Sequence, residues 1–172
     1  MASDPQTLTR LARLQSEVGL DARALQARAH EVGNLLGVWR NRNALGRADL
    51  MLVAVNLHGY YTALETLLER TARLLDENMP AGPSWHVDLL SQMQIEIPGL
   101  RPPVIDPAVV DDLHELRRFR HFFRNAYVLE LDPELVRRHA ERLERIHPSI
   151  AGALGRFQAH VDSVLQAMAR RS

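Results

Sequence analysis

Apolar side chains recur every three or four residues along most of the chain, which is the spacing of one face of an α-helix. No segment alternates apolar and polar residues as a half-buried strand does. The pattern resumes after each break and predicts five to six helices joined by short loops. It therefore predicts an all-α fold, a helical bundle formed by one domain over residues 1–172.

Capping residues and prolines mark the predicted helix ends. Asp106 and Asp132 each precede a proline and predict helix starts, while Ser84 predicts the N-cap of a short helix. Asp49 is predicted to cap the helix with the longest apolar stretch. Segments 37–46, 80–83 and 98–103 are predicted to be connectors. An interruption is predicted near Pro148 in the last helix.

The predicted helix over 109–128 carries the most concentrated polar chemistry. On a helical wheel, one side collects Leu116, Phe119, Phe122, Phe123, Ala126 and Tyr127. The other side collects Arg117, Arg120, His121, Arg124 and Asn125. Clustered guanidinium groups repel one another unless an anion lies opposite. Two interpretations stay open: acids of another helix, such as Glu65 or Glu69, pair with these arginines, or the stripe binds phosphate through Arg117 and Arg124.

Charge and composition narrow the choice of partners. The chain has 21 basic and 21 acidic residues, and every basic one is arginine. A net charge of zero argues against binding nucleic acid through bulk charge, but not against a local basic stripe. The absence of cysteine excludes disulfides, thiolate nucleophiles and zinc–thiolate sites. With no signal peptide and no apolar run long enough to span a bilayer, we expect a cytoplasmic protein without a membrane partner.

The histidines do not form a convincing metal site. His114 and His121 lie two turns apart on one helix face, but no acid completes a trio of ligands. We therefore expect neither a metal nor another cofactor. His58 lies on the polar edge of its helix and could face the same site as Arg120, whereas His86 is predicted to be structural.

The stretch from Leu116 to Tyr127, followed by Leu131 and Asp132, resembles the signature of HepT-like proteins in the HEPN superfamily. Their motif is an arginine, a polar residue, three further residues, a histidine, and a tyrosine two positions on. Arg120 stands at the arginine position, His121 at the polar position and Tyr127 at the tyrosine position. Upstream segments are also similar, so that the resemblance covers about residues 50–135: Tyr60, Tyr61 and Glu65; Trp85, His86, Leu89 and Leu90; and Arg101, Pro102 and Pro103.

The resemblance implies a fold, an activity and partners. HEPN domains are helical bundles that pair as homodimers and bring two motifs to one cleft. Active members are metal-independent ribonucleases whose histidine and arginine promote attack of a ribose 2′-hydroxyl on the adjacent phosphate. HepT-like members act as toxins, and the antitoxin partner is a small nucleotidyltransferase that adds AMP to the motif tyrosine. Here that tyrosine would be Tyr127, and RNA would be the substrate.

The sequence departs from the motif at the histidine position, which is Asn125. An amide donates hydrogen bonds but accepts no proton at neutral pH. The candidate catalytic residues are therefore Arg120, Asn125 and His121, which lies one turn back and could replace the missing base. Three hypotheses stay open: a ribonuclease toxin that uses His121, a non-catalytic protein that binds a nucleotidyltransferase or RNA, and a helical dimerisation module whose arginines are paired structurally.

Overall fold

Five α-helices follow one another in the computed structural model, which describes residues 5–125 and 131–170, with side chains over 6–124 and 131–170. They are α1 (Pro5–Arg42), α2 (Arg47–Leu74), α3 (Trp85–Met93), α4 (Val110–Asn125) and α5 (Pro133–Ala169), with a 3-10 turn (Pro107–Val109) before α4. The only strand-like pairing in these residues is an isolated bridge between Ile97 and Arg101. The predicted all-α helical bundle is confirmed. None of the five helices has an apolar stretch long enough to cross a membrane.

The three long helices form the body of the bundle, because α1 packs along both α2 and α5. Helix α4 packs mainly against α2 and also touches α5. Aliphatic side chains from all five helices fill one buried cluster, which includes Leu25, Val32, Leu36, Leu57, Leu64, Leu68, Leu90, Leu116, Leu143 and Ile150. Burial of this apolar surface favours folding by about 25 cal/mol per Å². The packing also fixes which face of α2 meets α4.

Two helices are longer than predicted. Helix α1 continues through most of the predicted connector and ends at Arg42, because Trp39 is buried against the core and holds the last turns in place. Helix α5 runs through Pro148 without the predicted interruption. Proline removes one backbone hydrogen bond and costs about 3 kcal/mol in a helix interior. Here Pro148 is on the exposed side, and the buried Ile146 and Ile150 on either side keep α5 on the core.

The predicted helix starts hold where a carboxylate precedes a proline. Asp106 accepts a hydrogen bond from the amide of Ala108, and Asp132 accepts one from the amide of Glu134, both at 2.9 Å. Ser84 is at the N-cap position of α3, but its hydroxyl donates to Asp88 and makes no cap. The predicted cap at Asp49 is wrong, since α2 begins at Arg47, after Gly46, and Asp49 lies in its first turn.

A buried arginine holds the loop between α3 and the 3-10 turn. Arg101 is 1% exposed, and its guanidinium donates to both carboxylate oxygens of Asp76, at 2.6 and 2.7 Å. It also donates to the carbonyl oxygens of Ile95, Pro102 and Gln92. The five N–H groups of the guanidinium thus meet five acceptors. The Arg101-Pro102-Pro103 segment is therefore a structural anchor.

Candidate functional site

The α2–α4 seam is the face along which residues of these two helices meet in antiparallel order. His58, Tyr61 and Glu65 lie three and four residues apart on α2 and so share one face. Tyr61 and Glu65 both contact Arg120 of α4, while His58 contacts Phe123, one turn further along α4. The seam therefore places the motif arginine opposite an aromatic ring and an acid.

Glu65 joins three helices at this seam. One carboxylate oxygen is 2.9 Å from Nη2 of Arg120, and the other is 2.5 Å from Nδ1 of His86 on α3. The ring of Trp85 stacks on His86 with 3.6 Å between centroids. This confirms the interpretation that an acid of another helix pairs with the motif arginine, and the structural role predicted for His86. Glu69 does not take part, because it pairs with Arg73 instead.

Arg120 lies against α2 rather than on an open face. Its side chain is only 13% exposed, and its Cζ is 5.4 Å from the centroid of the Tyr61 ring. Phe122, which the helical wheel placed on the core side, is 50% exposed, so that assignment is wrong. The buried stripe of α4 runs through Leu116 and Phe119, and packing against α2 rotates the helix so that Arg120 enters the seam and Phe122 leaves it.

Two arginines of α4 have hydrogen-bond donors that the fold does not use. The Nε atoms of Arg117 and Arg120 are buried and have no hydrogen-bond partner among the described residues. Leaving a buried donor unsatisfied costs about 1–3 kcal/mol, which a ligand oxygen would recover. Arg124 lies on the exposed side of the same helix. An arginine with unused N–H groups suits an oxyanion such as a phosphate.

Positive charge from two helices surrounds His58. Burial lowers the pKa of its imidazole, and the charges of Arg120, Arg124 and Arg28 lower it further. Arg28 comes from α1, and its guanidinium lies against Gly59, where an added Cβ would clash with it. Sequence reasoning missed Arg28. The signal available for it is the glycine inside α2, since such a position can mark close approach of another group.

The other predicted site residues differ in exposure, and the side chains of Asn125 and Tyr127 lie outside the described residues. His121 is exposed on α4, and Asn125 is the last residue of that helix, with its side chain outside the described residues. Tyr127 also lies outside the described residues. His114 is half-buried in the first half of α4, where burial and the charges of Arg117 and Arg118 lower its pKa. Over 5–125 and 131–170, no three His, Asp or Glu side chains gather in a way that would hold a metal ion.

Comparison with known proteins identifies a family for this chain. A family model described as HepT-like protein matches residues 52–161, which is more than half of the chain. The match includes α3, α4 and the whole α2 face from His58 to Glu65. No curated protein and no solved structure matches the chain.

Proposed function

The chain belongs to the HepT-like family, and on that premise we propose that it is a metal-independent endoribonuclease that binds RNA phosphates along α4. The observation that carries the proposal is the pair of buried, unpartnered Nε donors on Arg117 and Arg120. Arg124 adds an exposed charge on the same helix. A phosphate would neutralise Arg117 and Arg124 and satisfy donors that the protein leaves unused.

The reaction proposed is attack of a ribose 2′-hydroxyl on the adjacent phosphate. Arginines stabilise the charge that develops on the phosphoryl oxygens, and Glu65 fixes the orientation of Arg120 through their 2.9 Å contact. Asn125 takes the position of the motif histidine but accepts no proton. Loss of a general acid or base typically lowers the rate about 10²–10⁴-fold. We therefore propose that the wild-type protein cleaves RNA slowly.

The first experiment restores the missing imidazole. Single-turnover cleavage of a short labelled RNA is measured with EDTA present for the wild type, Asn125→His and Asn125→Gln. Asn125→His should cleave about 10²-fold faster than the wild type or better, because it supplies a proton acceptor. Asn125→Gln is the matched control, since it adds bulk without a titratable group. Equal rates for the two variants would contradict the proposal.

The second experiment tests phosphate binding by α4. Arg117→Ala and Arg124→Ala should each weaken RNA affinity by about 1.5–3 kcal/mol, as expected for a charge-assisted contact. Each should also reduce the slope of log affinity against log salt concentration by about one. Arg118→Ala is the control on the same helix, because Arg118 is exposed and pairs with Glu115. Equal losses for all three variants would indicate bulk charge rather than a site.

A second candidate function is binding without cleavage, either of RNA or of a nucleotidyltransferase. Two observations favour it: Asn125 stands at the histidine position, and Glu65 already neutralises Arg120. The two experiments above separate the candidates. RNA binding that depends on Arg117 and Arg124, with no cleavage by the wild type or by Asn125→His, would select the non-catalytic function.

We propose a minimal nucleotidyltransferase as antitoxin partner and Tyr127 as the residue that it modifies. Support comes from the family and from the place of Tyr127 two positions after the motif histidine slot. Mass spectrometry after co-expression with such an enzyme from a neighbouring gene should find AMP on Tyr127, and Tyr127→Phe should remain unmodified. AMP on a different residue would contradict the assignment.

A second copy of the chain is the other partner proposed. Leu52 and Val55 are 41% and 43% exposed at the start of α2, the end that meets the C-terminal part of α4, where Phe122 is 50% exposed. Exposed apolar side chains that form a contiguous patch mark interaction surfaces. Light scattering at tens of micromolar should show a dimer that Phe122→Arg dissociates. Ile95→Arg is the control, because Ile95 is 60% exposed in a loop. A monomeric wild type would contradict the proposal.

A further inference from the structure

Four histidines form hydrogen bonds or ion pairs within the fold. His86 pairs with Glu65, His139 with Arg142, and His160 with the carbonyl of Leu100. His147 bridges the Tyr60 hydroxyl and the Gln26 side chain, both at 2.9 Å. For His58, by contrast, no described residue makes a hydrogen bond to either ring nitrogen. Its imidazole is half-buried, and neither nitrogen is used by the part of the chain that the structure describes.

The position of His58 relates it to the motif helix rather than to the core alone. Its ring is 5.5 Å from the ring of Phe123, which lies on α4 between Arg120 and Arg124 and two residues before Asn125. Arg28 of α1 lies against Gly59, the residue after His58 in the chain. Guanidinium groups from α1 and α4 therefore act on the same imidazole. A phosphate held by these cations would lie close to the ring.

Resting on the proposed ribonuclease function, we infer that His58 accepts the proton of the ribose 2′-hydroxyl, in place of the histidine that the family motif puts at position 125. The 2′-oxygen bonds to the adjacent phosphorus while its proton moves to the imidazole of His58. The bond between phosphorus and the 5′-oxygen breaks, and the 5′-oxygen takes a proton from solvent. The products are a 2′,3′-cyclic phosphate and a 5′-hydroxyl end, and His58 returns its proton to water.

The charges around His58 suit this role. Arg28 on α1 and Arg120 and Arg124 on α4 lower the pKa of its imidazole together with burial, so that the ring is neutral at pH 7 and has a free lone pair. Glu65, two turns along α2, is the acid on the same helix face, and it is engaged by Arg120. His121 is exposed on α4, whereas His58 is within the seam itself.

The test measures cleavage and binding on the same variants. Single-turnover rates with EDTA and RNA affinity by fluorescence anisotropy are compared for the wild type, His58→Gln, His121→Gln and His114→Gln. His58→Gln should lower the rate by at least about tenfold, because His58 supplies only part of the roughly 10²–10⁴-fold that a well-placed general base contributes, and should change the affinity less than about twofold. His114→Gln is the matched control, because His114 is also half-buried with a lowered pKa beside arginines. The wild-type rate should rise with pH and level off with a midpoint below about 6.5.

The other possible outcomes separate the role of His58 from the proposed function. A wild type that binds RNA but cleaves no faster than His58→Gln overturns the role of His58 and leaves phosphate binding by α4 intact. A rate lost in His121→Gln rather than in His58→Gln transfers the role to His121. If Asn125→His cleaves but the double variant His58→Gln/Asn125→His does not, His58 acts structurally and the inference fails. Absence of RNA binding by the wild type and by Asn125→His overturns the proposed function itself.

Discussion

Two arginines, Arg101 and Arg120, each face a carboxylate in the interior of this protein, and the fold uses them differently. Arg101 and Asp76 are almost completely buried, and the guanidinium donates to five acceptors. Arg120 is 13% exposed, pairs with Glu65 through Nη2, and has a buried Nε that no residue in the described ranges 5–125 and 131–170 bonds. An arginine whose donors are all satisfied has nothing left for a ligand, whereas Arg120 retains capacity.

The same contrast separates two neutral histidines that pack on phenylalanines of α4. His139 of α5 is 5% exposed, packs on Phe119 and accepts a hydrogen bond from Arg142. His58 packs on Phe123 with both ring nitrogens unbonded among the described residues. His139 thus has one ring nitrogen bonded within the fold, whereas the described fold uses neither nitrogen of His58. Each prediction below tests one side of this contrast.

The largest expected effect is the loss of Arg101. Arg101→Met should lower the free energy of unfolding by about 3–5 kcal/mol, because it leaves the carboxylate of Asp76 buried and unpaired. Arg120→Met should cost less, since Glu65 keeps its contact with His86. Arg118→Met, which breaks an exposed pair, should cost at most about 1 kcal/mol. Urea unfolding of the three variants gives the order, and a greater loss for Arg120→Met than for Arg101→Met would contradict it.

Acid should destabilise the protein through His139. Burial is the main cause that lowers its pKa from 6.5 to about 4, and Arg142 adds to it. Between these pH values the unfolded chain binds a proton that the folded chain does not, so the free energy of unfolding falls as pH drops from 6.5 towards 4. The loss is at most about 3 kcal/mol. His139→Gln should flatten this part of the stability curve, whereas His58→Gln should leave most of it. An unchanged slope in His139→Gln would refute the assignment.

The smallest expected change in the free energy of unfolding concerns Gly59, which lies against the guanidinium of Arg28. Alanine stabilises a helix interior over glycine by about 0.5–1 kcal/mol. Gly33→Ala should show this gain, because nothing lies within 4 Å of the added Cβ. Gly59→Ala should gain less, since the guanidinium of Arg28 must move, and it should weaken RNA affinity while Gly33→Ala does not. Equal affinities in the two variants would show that Arg28 takes no part in binding.

Several features of the fold follow from local sequence. The spacing of apolar residues predicts helices, and Asp106 and Asp132 before prolines predict where two of them begin. The interruption predicted at Pro148 is wrong. The free-energy cost of a proline inside a helix is offset by burial of Ile146 and Ile150, and this burial depends on the rest of the bundle. Trp39 extends α1 for the same reason. Local rules thus predict helix type better than helix length.

For the site, the chemical groups can be read from the sequence: the arginines of α4, the missing histidine at position 125, and Glu65 as a candidate acid. That Arg120 turns into the seam, and that Arg28 and His58 approach the same place from α1 and α2, depends on the packing of the helices. The physical reason is that contacts between helices depend on how residues far apart in sequence pack together. A helical wheel describes the residues on one helix and contains no information on which partner it meets or how far packing rotates it.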